Sequence, residues 1–190
     1  MGIQIFNSIP SKIFAGKTLH KQFRITHYES TFSQLNKVNP DKAKEILDCI
    51  PDKVLISKSI EFQVSARKVS QSLKSLNFVK PDKLKRIVNV LFNDSDFDKK
   101  INDLSKSDLI HTFANFLAID SEKSSQKFIE KIQNITPGQL KNEEISTFSD
   151  GLKLLKKNLD LTKDSSIIRI FESHLLENYK HFRLRQISIS

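Results

Sequence analysis

The sequence predicts an all-α fold, a short α-solenoid of stacked antiparallel helix pairs with about six to eight helices. Three observations point there. Apolar residues recur at helical spacing almost without interruption from Asp41 to Tyr179. Four glycines and five prolines are too few for the many tight turns of a β-sandwich. A loose self-similarity with a period near 40 residues runs through the second half of the chain.

The elements follow in order. Asn39-Pro40-Asp41 reads as an N-cap followed by proline in the first turn, opening a helix that carries Ala43, Ile46, Leu47 and Ile50. Pro51 ends it. Phe62, Ala66, Val69, Leu73 and Leu76 step by four and three, which predicts one apolar stripe on a helix of about 20 residues. Lys80-Pro81 punctuates, and Leu84, Ile87, Val88, Leu91 and Phe92 mark the next helix. Ser105-Lys106-Ser107-Asp108 resembles a capping box ahead of Leu109, Ile110, Phe113, Phe116 and Leu117. Residues 121–134 carry Phe128, Ile129 and Ile132. Thr136-Pro137 opens a segment with Ile145, Phe148, Leu152 and Leu155 on one face. Asp164 caps a last helix bearing Ile167, Ile168, Phe171, Leu175 and Tyr179.

The repeat is read from apolar triplets. Ile87, Val88 and Leu91 recur as Phe128, Ile129 and Ile132, then as Ile167, Ile168 and Phe171. Leu109, Phe113 and Phe116 recur as Phe148, Leu152 and Leu155. Two helices per unit, each pair burying its apolar face against the next, is the expected arrangement. The chain divides on this reading into a basic N-terminal arm (1–38), a helical-repeat domain (39–180) and a basic C-terminal tail (181–190).

Charge is the strongest functional signal. Lysine and arginine total 31 against 22 acidic residues, a net charge of +9, which favours polyanionic partners. No acid occurs before Glu29, whereas Lys12, Lys17, Lys21 and Arg24 do, among Ser8, Ser11 and Thr18. Basic, hydroxylated and acid-free is the composition of a mitochondrial targeting segment, or of an arm that lies on RNA or a neighbouring subunit. A second acid-free stretch lies between Glu61 and Asp82 and holds Arg67, Lys68, Lys74 and Lys80. Arg67, Ser70, Gln71 and Lys74 fall opposite the apolar stripe, and Lys83, Lys85 and Arg86 extend the positive region. After Glu177 the tail alternates Lys180, Arg183 and Arg185 with His181, Phe182 and Leu184. Such faces suit RNA phosphates, with arginine as a fork and lysine as a point charge.

Catalytic chemistry finds no support. His20, His27, His111, His174 and His181 lack metal-ligand spacing, so neither a metal nor another cofactor is expected. Cys49 stands alone, which excludes an internal disulfide. Gly16-Lys17-Thr18 mimics the end of a phosphate-binding loop, but Ser11 stands where its first glycine belongs. Phe6 occupies the position at which Met1-Gly2 would need a hydroxyl for myristoylation.

The segment Leu104-Ser105-Lys106-Ser107-Asp108-Leu109-Ile110-His111-Thr112-Phe113-Ala114-Asn115-Phe116-Leu117 resembles the first helix of octotricopeptide- and heptatricopeptide-type repeats. The likeness lies in the Ser-x-x-Asp-Leu start, with Ala114 as a small residue facing a neighbouring helix. It implies an organellar RNA-binding factor or a component of a mitochondrial ribonucleoprotein particle. The expectation is therefore a non-catalytic subunit of such a particle, for instance the mitochondrial ribosome. It would contact RNA backbone and neighbouring subunits in the matrix or at the matrix face of the inner membrane, and take no small-molecule substrate. The alternative is an accessory structural subunit of a respiratory or ATP-synthase complex, touching protein and an anionic membrane surface.

Overall fold

A computed structural model describes residues 8, 10–14, 16 and 23–133, together with Asp150, Gly151, Lys153, Arg169, Glu172, Ser173 and Leu176. Among the described residues there are nine helices and no strand. They are α1 (Ser11–Phe14), α2 (Ile25–Val38), α3 (Pro40–Cys49), α4 (Asp52–Ile60), α5 (Ala66–Asn77), α6 (Pro81–Phe92), α7 (Ser95–Asn102), α8 (Lys106–Leu117) and α9 (Ser121–Gln133). The chain forms two compact units, Met1–Asn102 and Asp103–Ser190.

In the first unit three helix starts, those of α3, α5 and α7, are set by side-chain caps. Asn39 accepts from the Lys42 amide at 3.0 Å, with Pro40 in the first turn of α3. Ser65 accepts from the Lys68 amide at 3.4 Å and opens α5. Asp94 Oδ1 takes the Asp96 and Phe97 amides at 3.0 and 2.9 Å and opens α7. Each such cap satisfies amides that have no partner within the helix and is worth about 1 kcal/mol. The core is built from Ile25, Tyr28 and Phe32 of α2, Ala43, Ile46 and Leu47 of α3, and Leu55 of α4. Val69, Leu73 and Leu76 of α5 join them, with Leu84, Ile87, Val88 and Leu91 of α6 and Phe97 and Ile101 of α7. Each fully buried side chain of this size contributes about 1.5–3 kcal/mol.

The packing of the first unit is solenoid-like, and each helix pair there is followed by a short third helix. α2, α3 and α4 correspond to α5, α6 and α7. The equivalent first helices, α2 and α5, make the most extensive contact in the unit. They run parallel, since Arg24 Nη2 donates to Gln63 Oε1 at 3.1 Å while Glu29, further along α2, accepts from Ser72 and Ser75 of α5 at 2.8 and 3.2 Å. α4 packs on α6, α6 on both α5 and α7, and α1 on α3. The sequence carries the same period. Phe32-x-x-Leu35-Asn36-x-Val38-x-Pro40-Asp41-Lys42 returns 41 residues later as Leu73-x-x-Leu76-Asn77-x-Val79-x-Pro81-Asp82-Lys83. In the second unit it returns, after a further 40, as Phe113-x-x-Phe116-Leu117-x-Ile119-x-Ser121-Glu122-Lys123.

Three expectations change. α4 and α7 were not foreseen. Only Leu55 and Ser59 are buried on α4, and α7 is eight residues long with Phe97 and Ile101 as its apolar anchors, so neither writes a long stripe. Phe62 does not begin the α5 stripe. The helix starts at Ala66 behind its Ser65 cap, and Phe62 sits in the preceding loop, 99% exposed. Residues 25–38, assigned by composition to the arm, form α2 and bury Ile25, Tyr28 and Phe32 in the core.

The register within the repeat also moves by one residue. Counted from the helix starts at Pro81 and Ser121, Phe128 matches Val88, not Ile87, and both are fully buried. The side chains of Ile129 and Ile132 lie outside the described residues. So do the triplet at 167, 168 and 171 and the set at 148, 152 and 155.

The second unit is anchored by aromatic packing between α8 and α9. Ser105 caps α8 by accepting from the Asp108 amide at 3.2 Å, and Asp120 accepts from the Lys123 amide at 3.1 Å ahead of α9. Phe113 stacks on Phe128 with ring centroids 5.3 Å apart and planes 20° from parallel. Phe116 lies 6.1 Å from the same ring. Gly151 comes so close to Ile110 that a Cβ there would stand 2.7 Å from its Cγ2.

Tyr28 ties the first unit to pH. Burial, reinforced by the charge of Glu61, pushes its phenol from 10.0 up to about 12. The fold favours the neutral form, so its contribution is complete below pH 10 and lost as pH rises towards 12. Thermal denaturation across that window is expected to show a falling melting temperature that Tyr28→Phe flattens. Equal alkaline sensitivity in the variant would remove Tyr28 as the cause.

Candidate nucleic-acid interface

The acid-free stretch between Glu61 and Asp82 contains α5, whose apolar side is buried and whose opposite side faces solvent. Lys68 and Gln71 are exposed, while Arg67 and Lys74 are half-buried. Ser70, expected on this polar stripe, is fully buried, and its hydroxyl donates to the Arg67 carbonyl at 2.8 Å. The stripe therefore narrows to Arg67, Gln71 and Lys74, flanked by Lys68.

The cations that follow play different roles. Lys83 is 3% exposed and turned inward. Its Nζ donates to the Ile50 carbonyl at 2.5 Å and pairs with Asp52 Oδ1 at 3.0 Å. It is a structural lysine and leaves the set available to a phosphate. Arg86 Nε pairs with Asp52 Oδ2 at 3.3 Å, and Lys80 pairs with Asp48 at 2.7 Å. Together these ion pairs tie the first turns of α6 to the α3–α4 junction. Burial works against ionisation of Asp52, yet the hydrogen bonds and charges of Lys83 and Arg86 prevail and hold its carboxyl below the ordinary 3.8. Lys85 stays exposed and, like Lys68, makes no ion pair among the described residues.

The remaining assigned residues divide as follows. Lys12 is exposed on α1, and Arg24 is exposed with its guanidinium on Gln63. Lys17, Lys21, Lys180, Arg183 and Arg185 lie outside the described residues. Lys37, Lys44 and Lys53, which the composition of the acid-free stretches did not single out, are exposed on α2, α3 and α4. Phe78 was missed as well. It caps the C-terminal end of α5 and is 76% exposed, although Val79 beside it is buried.

A second feature is the loop 61–65 between α4 and α5. Lys100 Nζ donates to the carbonyls of Glu61 and Val64 at 2.5 and 2.6 Å, and Lys58 pairs with Glu61 at 2.7 Å. Burial lowers the Lys100 ammonium below its ordinary value, against the opposing charges of Glu61 and Asp96. A lysine that replaces water on two loop carbonyls braces the loop, and Phe62 projects from it.

Among the described residues no three His, Cys, Asp or Glu side chains gather to hold a metal ion, and no helix is long and apolar enough to cross a membrane. The lone Cys49 is half-buried on α3. The geometry on display is a helical surface on which Lys68 and Lys85 are exposed and Arg67 and Lys74 are half-buried. No protein-family model, no curated protein and no solved structure matches the sequence.

Proposed function

We propose that this protein is a non-catalytic structural subunit of a mitochondrial ribonucleoprotein assembly, such as the mitochondrial ribosome, and holds RNA by its phosphate backbone. The observation that carries the reading is α5, a helix without an acidic residue of its own, where Arg67, Lys68 and Lys74 stand opposite a side locked in the core, with the Glu29 carboxylate of α2 held by Ser72 and Ser75. Fixed cations on a rigid helix contact phosphates at little entropic cost. Exposed Lys85 on α6 and Lys44 on α3 add to the positive field. The acid-free stretch before Glu29 supports the mitochondrial part of the reading.

Binding of the full chain to generic single-stranded RNA across a salt series tests it. Affinity is expected to fall linearly on logarithmic axes, with a slope near −0.7 for each phosphate neutralised. Lys68→Gln and Lys85→Gln should each make that slope shallower by about 0.7. Absence of binding at low salt, with retention instead on anionic vesicles, would overturn the RNA reading in favour of an accessory subunit of an inner-membrane complex.

A further inference from the structure

We propose that Phe78 is a stacking platform for an unpaired base, so that the ligand of the α5 face is single-stranded rather than duplex RNA. This rests on the phosphate-binding reading above and adds to it the class of RNA recognised.

α5 ends at Asn77, and Phe78 as its C-cap keeps right-handed helical angles, φ −65 and ψ −23. Successive side chains therefore turn by about 100° up to and including Phe78. On that count Arg67, Gln71, Lys74 and Phe78 fall within about 60° of one another, and Lys68 follows about 60° beyond Gln71. Val69, Ser72, Leu73 and Leu76 occupy the other side and are fully buried. The aromatic ring thus stands in line with the basic stripe, about 16 Å along the axis from Arg67.

Nothing in the fold requires a phenylalanine there. It is 76% exposed, whereas Val79, one residue on, is 2% exposed and supplies the apolar contact at this turn. The preceding repeat has Lys37 at the equivalent position, also exposed, and the following one has Ala118. A bulky aromatic in water at the end of an acid-free helix has a chemical use. Phosphates meet the cations, and a base turned out of its strand covers the ring. A duplex presents phosphates but keeps its bases stacked inside, so it meets the cations alone. Phe62, though 99% exposed, lies in the 61–65 loop, outside this helical stripe.

The test uses the full chain with two probes, a single-stranded 12-nucleotide oligouridylate and a blunt RNA duplex of the same length. Phe78→Ala is expected to weaken oligouridylate binding by about tenfold or more and leave its salt slope unchanged, because stacking releases no counterion. Duplex affinity should not move, and Phe78→Tyr should retain the wild-type value. The melting temperature of Phe78→Ala should match wild type, as expected for an exposed side chain. Oligouridylate affinity within twofold of wild type in Phe78→Ala, with the salt slope intact, would overturn the stacking role and leave backbone binding standing. An equal loss on the duplex would also overturn it. Failure of the wild-type protein to bind either probe would remove the phosphate-binding reading itself.

Discussion

Phe113→Ala is expected to destabilise the second unit by about 3–5 kcal/mol. Phe113 is fully buried and shares a stacked contact with Phe128, itself fully buried, while Phe116 closes on Phe128 from a second direction. Removing the ring loses its transfer free energy and its aromatic contact, and leaves a void that neighbouring rings on two packed helices fill only in part. Phe113→Leu restores most of the volume without the stacking geometry, so it should cost distinctly less. Because the chain forms two compact units, heating is read by a probe in each rather than by one global signal. The expected result is a large downward shift in the transition reported from residues 103–133. A shift below about 1 kcal/mol would mean that the α8–α9 contact is not a tight core.

The position of Phe113 was legible in the sequence, and the reason bears on what else was. Long amphipathic helices announce themselves, because an apolar stripe of three or four turns cannot be mistaken for a strand. α3, α5, α6, α8 and α9 were read on that basis, with caps at Asn39 and Ser105 that the structure confirms as hydrogen bonds. The short helices were not legible. α7 buries only Phe97 and Ile101, and its start depends on Asp94 taking two backbone amides, a cap without a stripe behind it. With α4 and α7 unread, each helix pair lacked its short third helix, and matching apolar triplets rather than helix starts displaced the alignment of Phe128 by one residue. A slip of one residue rotates a helical side chain by about 100°, enough to exchange a core position for a flank.

The charged surface was legible in composition but not in allocation. Arg67, Lys68, Lys74 and Lys85 could be singled out as cations, and Lys83 looked no different from Lys85. Only the fold places the Lys83 ammonium at the end of α3, on the Ile50 carbonyl. Phe78 was invisible for the converse reason. It follows Leu76 by two residues, about 200° round the helix and so off the apolar stripe, and its exposure shows only in the fold, where Val79 takes the inward place at the turn.

Lys83 is accordingly where a stability effect is expected from a residue that charge alone assigns to RNA. Lys83→Met keeps the length and apolar stem of a side chain that is 4% exposed but removes both polar contacts, to Ile50 O and Asp52. Leaving a carbonyl unpaired and a carboxylate with Arg86 as its remaining partner should cost about 1–3 kcal/mol. The pH dependence supplies an independent reading. Asp52 titrates below its ordinary 3.8 in the fold, so its contribution is present above that value and lost as pH falls through the folded pKa. Wild type should therefore weaken on acidification below about pH 4, and Lys83→Met should weaken less steeply because the strongest force lowering the Asp52 pKa is gone. Asp52→Asn should cost more than Lys83→Met, since it leaves a buried ammonium without its counter-ion, and the double variant should fall short of the sum. RNA affinity and its salt slope should be unchanged by Lys83→Met once the protein is folded, whereas Lys68→Gln should alter both. If instead Lys83→Met left stability intact and made the salt slope shallower, the side chain would have to point outward, and the lock between the first turn of α6 and the α3–α4 junction would be wrong.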